Sequence, residues 1–137
     1  MDFVSKIKAL NLPSGKYIVF GSGVMEIHGI RKAKDVDVLI NEELYDELKK
    51  RGWKRKWFFK RVLTCKALTN ENNEAFTNLL WKDYKKATDD VIKKAEIIDG
   101  IPFMSLVDYV EYKKHLPRKK DKDDVVLIEK YLTNNKK

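Results

Sequence analysis

The stretch from Tyr17 to Ile40 constrains this chain more than any other: Y-I-V-F-G-S-G-V-M-E-I-H-G-I-R-K-A-K-D-V-D-V-L-I. Tyr17-Ile18-Val19-Phe20 is a short, apolar, β-rich run. Gly21-Ser22-Gly23 ends it and opens a helix expected over 22–29. The chain then returns as Asp35-Val36-Asp37-Val38-Leu39-Ile40. In a strand, residues i and i+2 share a face, with Cα atoms roughly 6.5–7 Å apart. Asp35 and Asp37 are therefore expected to project together while Val36 and Val38 enter the core. Two carboxylates on one face suit hard cations such as Mg²⁺, which prefer oxygen ligands. Ions in two-metal sites sit only about 3.5–4 Å apart, within reach of such a pair. Gly21-Ser22 at a helix start would offer backbone N–H groups and the positive dipole end to a phosphate.

In this order and context, Gly21-Ser22 and Asp35-Val36-Asp37-Val38 resemble the signature of the nucleotidyltransferase superfamily, the DNA polymerase β-like fold. The resemblance implies that Asp35 and Asp37 are catalytic and hold Mg²⁺ (or Mn²⁺). It also implies that Gly21 and Ser22 seat the phosphates of an NTP, ATP foremost. A third carboxylate usually comes from a neighbouring strand. The best match to it is Phe76-Thr77-Asn78-Leu79-Leu80, where the acid position holds Asn78. An amide can offer its carbonyl oxygen to a metal but cannot act as a general base. Glu74 shares the face of Asn78 by strand parity but falls toward the strand's edge. The third carboxylate position therefore reads as degenerate.

The tail carries a second part of the resemblance. Lys113 or Lys114 lies on a helix and is followed by Arg118, Lys120, Asp121 and Asp124. This is similar to small bacterial and archaeal nucleotidyltransferase-like proteins, including nucleotidyltransferase toxins of toxin–antitoxin systems. By resemblance, Lys113 and Arg118 face the triphosphate. Read from the residues alone, Arg118–Lys122 is a charge cluster at a helix start, a kind that solvates or pairs locally.

Charge points the same way. The chain has 29 Lys and Arg against 21 Asp and Glu, a net charge of +8. That balance favours polyanionic partners: nucleotide, RNA or an acidic protein. Residues 51–66 concentrate it, with seven basic residues, no acid, and Trp53, Trp57, Phe58 and Phe59 interleaved. They read as two strands, 53–58 and 61–68, with a turn near Phe59-Lys60. Arg51, Lys54, Lys56, Lys60 and Arg61 form a candidate nucleic-acid patch, because cations among aromatics can bind single strands by charge and stacking. A strand with apolar residues inside and lysines outside accounts for the same pattern.

No apolar run approaches a membrane span, and the start of the chain lacks a signal-peptide pattern. Cys65 is the only cysteine, so no internal disulfide can form and a reducing cytoplasm fits. His28 reads as a packing or helix-end residue. Asn41 and Ser105 read as helix N-caps, and Asp99-Gly100 as a hairpin turn. The expected architecture is one α+β domain over 1–133 with a flexible tail at 134–137. Its sheet should be mixed, with about five strands and with helices packed mainly on one face. The expected activity is Mg²⁺-dependent transfer of NMP from an NTP to an acceptor that no motif specifies. The alternatives are a catalytically impaired fold that binds nucleotide or nucleic acid, and one component of a toxin–antitoxin pair. Nothing in the sequence sets the oligomeric state.

Overall fold

Capping residues and glycine stops divide the chain much as they read in sequence. The computed structural model describes residues 2–56, 66–79, 86–116 and 118–135. Helix α1 (Phe3–Ala9) starts where the Asp2 carboxylate accepts the Ser5 N–H at 2.7 Å. Strand β1 (Tyr17–Phe20) and helix α2 (Ser22–Ile27) follow, with His28 as the helix C-cap. Strand β2 (Asp37–Ile40) leads to α3 (Glu42–Lys50), whose N-cap Asn41 accepts the Leu44 N–H at 2.9 Å. Strands β3 (Lys54–Lys56), β4 (Ala67–Asn70) and β5 (Asn73–Phe76) come next, then the short α4 (Thr88–Lys93). The hairpin β6 (Glu96–Ile98) and β7 (Ile101–Phe103) turns at Asp99 and Gly100, with φ of 53° and 78°. Positive φ at both central residues is what this tight turn demands. Ser105 caps α5 (Leu106–Lys114), accepting the Asp108 N–H at 3.1 Å, and α6 (Lys119–Asn134) closes the domain.

Among the described residues the strands form one seven-stranded mixed sheet in the order β3-β4-β5-β2-β1-β7-β6. The expectation of about five strands falls short, although the α+β class holds. The 96–103 hairpin is not a separate excursion. Its strand β7 lies parallel to β1, Val19 opposite Phe103, and the Met104 N–H donates to the Val19 carbonyl at 2.9 Å. A lone hairpin is marginal in water, so docking on a larger sheet is its stable arrangement.

Helices cover both faces, not mainly one. Ile18, Phe20, Leu39, Ala67 and Phe76 pack with residues of α4, α5 and α6, including Ile92, Tyr109, Tyr112 and Ile128. On the opposite face Tyr17, Val19, Val38, Ile40 and Phe103 pack with Phe3 and Ile7 of α1 and Leu44, Tyr45 and Leu48 of α3. The reason lies in β1, all four of whose residues are buried. A strand apolar on consecutive positions needs cover on both sides.

The strand segments shift as well. The expected strand at 74–81 is β5, which ends at Phe76, so Thr77 to Leu79 continue outside the ladder. Of the expected pair at 53–58 and 61–68, Lys54–Lys56 pairs antiparallel with Ala67–Asn70. The turn near Phe59-Lys60, with Lys60, Arg61 and Cys65, lies outside the described residues, as do 136–137 of the expected tail. Among the described residues, no helix is long and apolar enough to cross a membrane.

Candidate functional site

One end of the central strands carries the chemistry. β1 ends at Phe20 where β2 begins at Asp37, and the two residues pair across the ladder. β5 runs parallel to β2 with Asp37 opposite Glu74. Directly paired residues point to the same face, and two residues further on Leu39 and Phe76 both enter the α5–α6 core. Asp37 and Glu74 therefore stand side by side on that face, at the point where the core gives way to a cleft. The cleft has a volume of about 340 Å³, and its walls include Gly21, Ser22, Asp37 and Glu74, with Arg31, Lys56, Lys113, Arg118 and Lys120 around them.

Gly21 is held tightly in this arrangement. Its φ is +73°, and a Cβ there would lie 2.8 Å from Asp37 Oδ2. The glycine lets the backbone turn pass against the carboxylate, where any side chain would collide. Helix α2 spans six residues, shorter than its expected range. Anion attraction in the cleft therefore rests on the surrounding cations.

Asp35 does not join Asp37 among the cleft's walls. Strand alternation holds only inside a ladder, and the ladder starts at Asp37. Just before it, the Val36 N–H donates to Asn73 Oδ1 at 3.1 Å and the Val36 carbonyl accepts the Glu74 N–H at 2.9 Å. Asp35 sits in the bend that precedes these bonds, half-buried. Asn78 also lies elsewhere. It is past the end of β5, where its Oδ1 accepts the Thr88 hydroxyl at 3.3 Å, and it lines a separate depression with Asn41, Glu42 and Asp89. The carboxylate beside Asp37 is Glu74. Parity placed it on the right face, but only the parallel register of β5 on β2 shows that it faces Asp37.

Lys113 and Arg118 do line the cleft, and both are anchored. Lys113 is buried, its Nζ 2.7 Å from Asp121 Oδ1 and 2.9 Å from Asp124 Oδ2. Arg118 donates to Asp121 through Nε at 2.8 Å and Nη2 at 3.0 Å. Arg31, from the loop after α2, donates to Asp124 through Nε at 3.1 Å and Nη2 at 2.9 Å. Each buried carboxylate thus receives one forked arginine and shares one lysine. Burial alone would raise both carboxyls, but the hydrogen bonds from Arg118, Arg31 and Lys113 outweigh it and hold them below the ordinary range. Tyr109, also in the wall, is pushed well upward by burial and by the nearby Asp124 charge, so its hydroxyl keeps its proton. Lys56 Nζ contacts Glu74 Oε2 at 2.6 Å across the mouth. His28 packs edge-on against Tyr131, with ring centroids 5.8 Å apart, the packing role read from sequence.

Among the described residues no three Asp, Glu, His or Cys side chains gather as a metal cage. Asp37 and Glu74 still fit Mg²⁺, which is commonly held by one or two carboxylates plus substrate phosphates and water. Comparison with protein-family models, curated proteins and solved structures found no match.

The network predicts an acid-sensitive fold. The folded-state pKa values of Asp121 and Asp124 lie below their unfolded value of about 3.9. The stability they contribute is complete well above that value and is lost as pH falls through and below it. Lys113→Met leaves the carboxylates one cation short and should cost about 3–5 kcal/mol at neutral pH. That gap should narrow as pH falls through the carboxylate range and close below the lowered wild-type values, where the carboxylates carry protons in both proteins. Urea unfolding of both proteins over a pH series measures the two effects.

Proposed function

We propose that this protein transfers a nucleoside monophosphate from an NTP to an acceptor hydroxyl in a Mg²⁺-dependent reaction. The observation that carries the reading is the placement of Asp37 and Glu74 side by side against the Gly21 turn, in a cleft walled by cations. The resemblance of Gly21-Ser22 and Asp35-Val36-Asp37-Val38 to the nucleotidyltransferase superfamily supports it and keeps Asp35 as a further candidate ligand. The Asn78 position, which argued for a catalytically impaired fold, loses that weight because Glu74 stands beside Asp37.

In this reading Asp37 and Glu74 supply the oxygen donors for the cation. When bound there, Mg²⁺ would neutralise phosphate charge and make the attacking hydroxyl more acidic. Arg31, Arg118 and Lys120 hold the triphosphate beside the Gly21-Ser22 turn. Lys113 lies deeper, and with Asp121 and Asp124 it fixes the two arginines, so they meet the substrate already oriented. The acceptor oxygen attacks the α-phosphorus as the bond to the β-phosphate bridge oxygen breaks. The new P–O bond joins NMP to the acceptor, and pyrophosphate leaves with the electron pair. The hydroxyl proton passes to a carboxylate oxygen of the Asp37–Glu74 pair.

Asp37→Asn and Glu74→Gln should each lower incorporation of label from an α-labelled NTP by at least about 100-fold, the upper range for disturbing the support of a metal site. Both should also remove Mg²⁺-dependent thermal stabilisation by NTP. Asn78→Ala should leave both readouts unchanged. Undiminished incorporation in Asp37→Asn, or a loss in Asn78→Ala equal to that in Glu74→Gln, refutes the assignment.

A further inference from the structure

The cleft has cations on two separate sides, and only one of them is accounted for by an NTP. The first is the helical wall of Arg31, Lys113, Arg118 and Lys120. The second is strand β3, at one edge of the sheet among the described residues, whose three residues Lys54, Arg55 and Lys56 are all exposed.

The pairing shows how β3 relates to the acids. Lys54 pairs with Thr69, Thr69 with Glu74, Glu74 with Asp37, and Asp37 with Phe20. These five residues form one row across the sheet and share a face. Lys56, two residues on, has the same parity, lines the cleft and contacts Glu74. The face that holds the carboxylates therefore runs out to a cationic edge. Three strand spacings of about 4.8 Å put Lys54 about 14 Å from Asp37.

Resting on the nucleotidyl-transfer reading, we propose that β3 docks the acceptor, and that the acceptor is a single-stranded nucleic acid whose end reaches Asp37 and Glu74. At about 340 Å³ the cleft is near the lower bound for ligand pockets, so it suits one nucleotide and leaves a polymer across its mouth. At a stacked rise of about 3.4 Å per nucleotide, 14 Å places a phosphate about four nucleotides back over Lys54. A cationic or neutral acceptor would gain nothing from Lys54 and Lys56. Lysine on a sheet edge also discourages unwanted strand pairing. That role explains a charged edge, but not why Lys54 lies in the row of Glu74 and Asp37 and Lys56 on the same face.

The test is fluorescence anisotropy of the full chain with a labelled, mixed-sequence single-stranded RNA over a series of KCl concentrations. Each lost phosphate contact should make the log–log salt slope shallower by about 0.7. Lys54→Gln should therefore shift it by about 0.7, and Lys54→Gln/Lys56→Gln by about 1.4, each with weaker binding at every salt concentration. Lys54→Gln should keep Mg²⁺-dependent stabilisation by ATP, which shows that the nucleotide cleft is intact. The inference is overturned if RNA does not bind, or if slope and affinity are unchanged in both variants. It is also overturned if polyglutamate binds as tightly as RNA with equal dependence on the two lysines, since the surface then serves an acidic protein. Loss of the RNA effect with ATP stabilisation kept sinks this proposal alone. An RNA effect without stabilisation by any NTP supports the docking surface and sinks nucleotidyl transfer.

Discussion

The Lys113 ammonium, buried between Asp121 and Asp124, holds together the parts of the molecule that matter for the cleft. It joins α5 to α6. Through Asp124 it reaches Arg31, in the loop that leads from α2 toward β2, and through Asp121 it reaches Arg118, the N-cap of α6. Remove this link and the Arg31 loop, 93 positions before Asp124, loses the anchor it shares with α5 and α6. Such a network is a poor device for stability alone, because well-packed apolar residues often replace a buried ion cluster at no cost. What apolar packing cannot supply is a set of guanidinium groups fixed at a defined orientation. Each arginine here is gripped on two nitrogens by one carboxylate, a geometry a lysine could not reproduce.

The network also sets a charge. Arg31, Lys113 and Arg118 against Asp121 and Asp124 leave one positive charge in excess, beside Asp37 and Glu74. Lys56 meets Glu74 across the mouth, so positive charge borders the cleft on the strand side as well. Such a surplus attracts anionic ligands.

Much of the fold was legible because its signals are local. The Asp99-Gly100 turn, the Asn41 and Ser105 caps and the apolar run of β1 each depend on a few adjacent residues. The both-face cover was also implicit in the unbroken apolar run from Tyr17 to Phe20, whereas the alternation at Asp35–Val38 is the pattern of a one-sided strand. Part of the candidate site was legible too, in that Gly21, Ser22, Asp37, Lys113 and Arg118 all line the cleft. Glu74 was not legible, because its role is set by the register of a parallel pair whose partners lie 37 positions apart. The anchoring of Arg31 has no local signal either, since its partner Asp124 is 93 positions away. Asn78 failed for a complementary reason. Matching it to a motif assumed a strand that continues, and the ladder stops at Phe76.

Parallel register has a further consequence for Glu74. A one-residue slip of β5 on β2 would turn Glu74 to the opposite face, toward the α1–α3 core, and set Asn73 or Ala75 opposite Asp37. Two bonds just before the ladder oppose that slip. Asn73 Oδ1 accepts the Val36 N–H, and the Val36 carbonyl accepts the Glu74 N–H. At the other end, the Lys66 N–H donates to the Thr77 hydroxyl, and the Thr77 N–H donates to the Lys66 carbonyl, which holds β5 on β4. A side chain flanking a four-residue strand thus helps to fix which carboxylate meets Asp37.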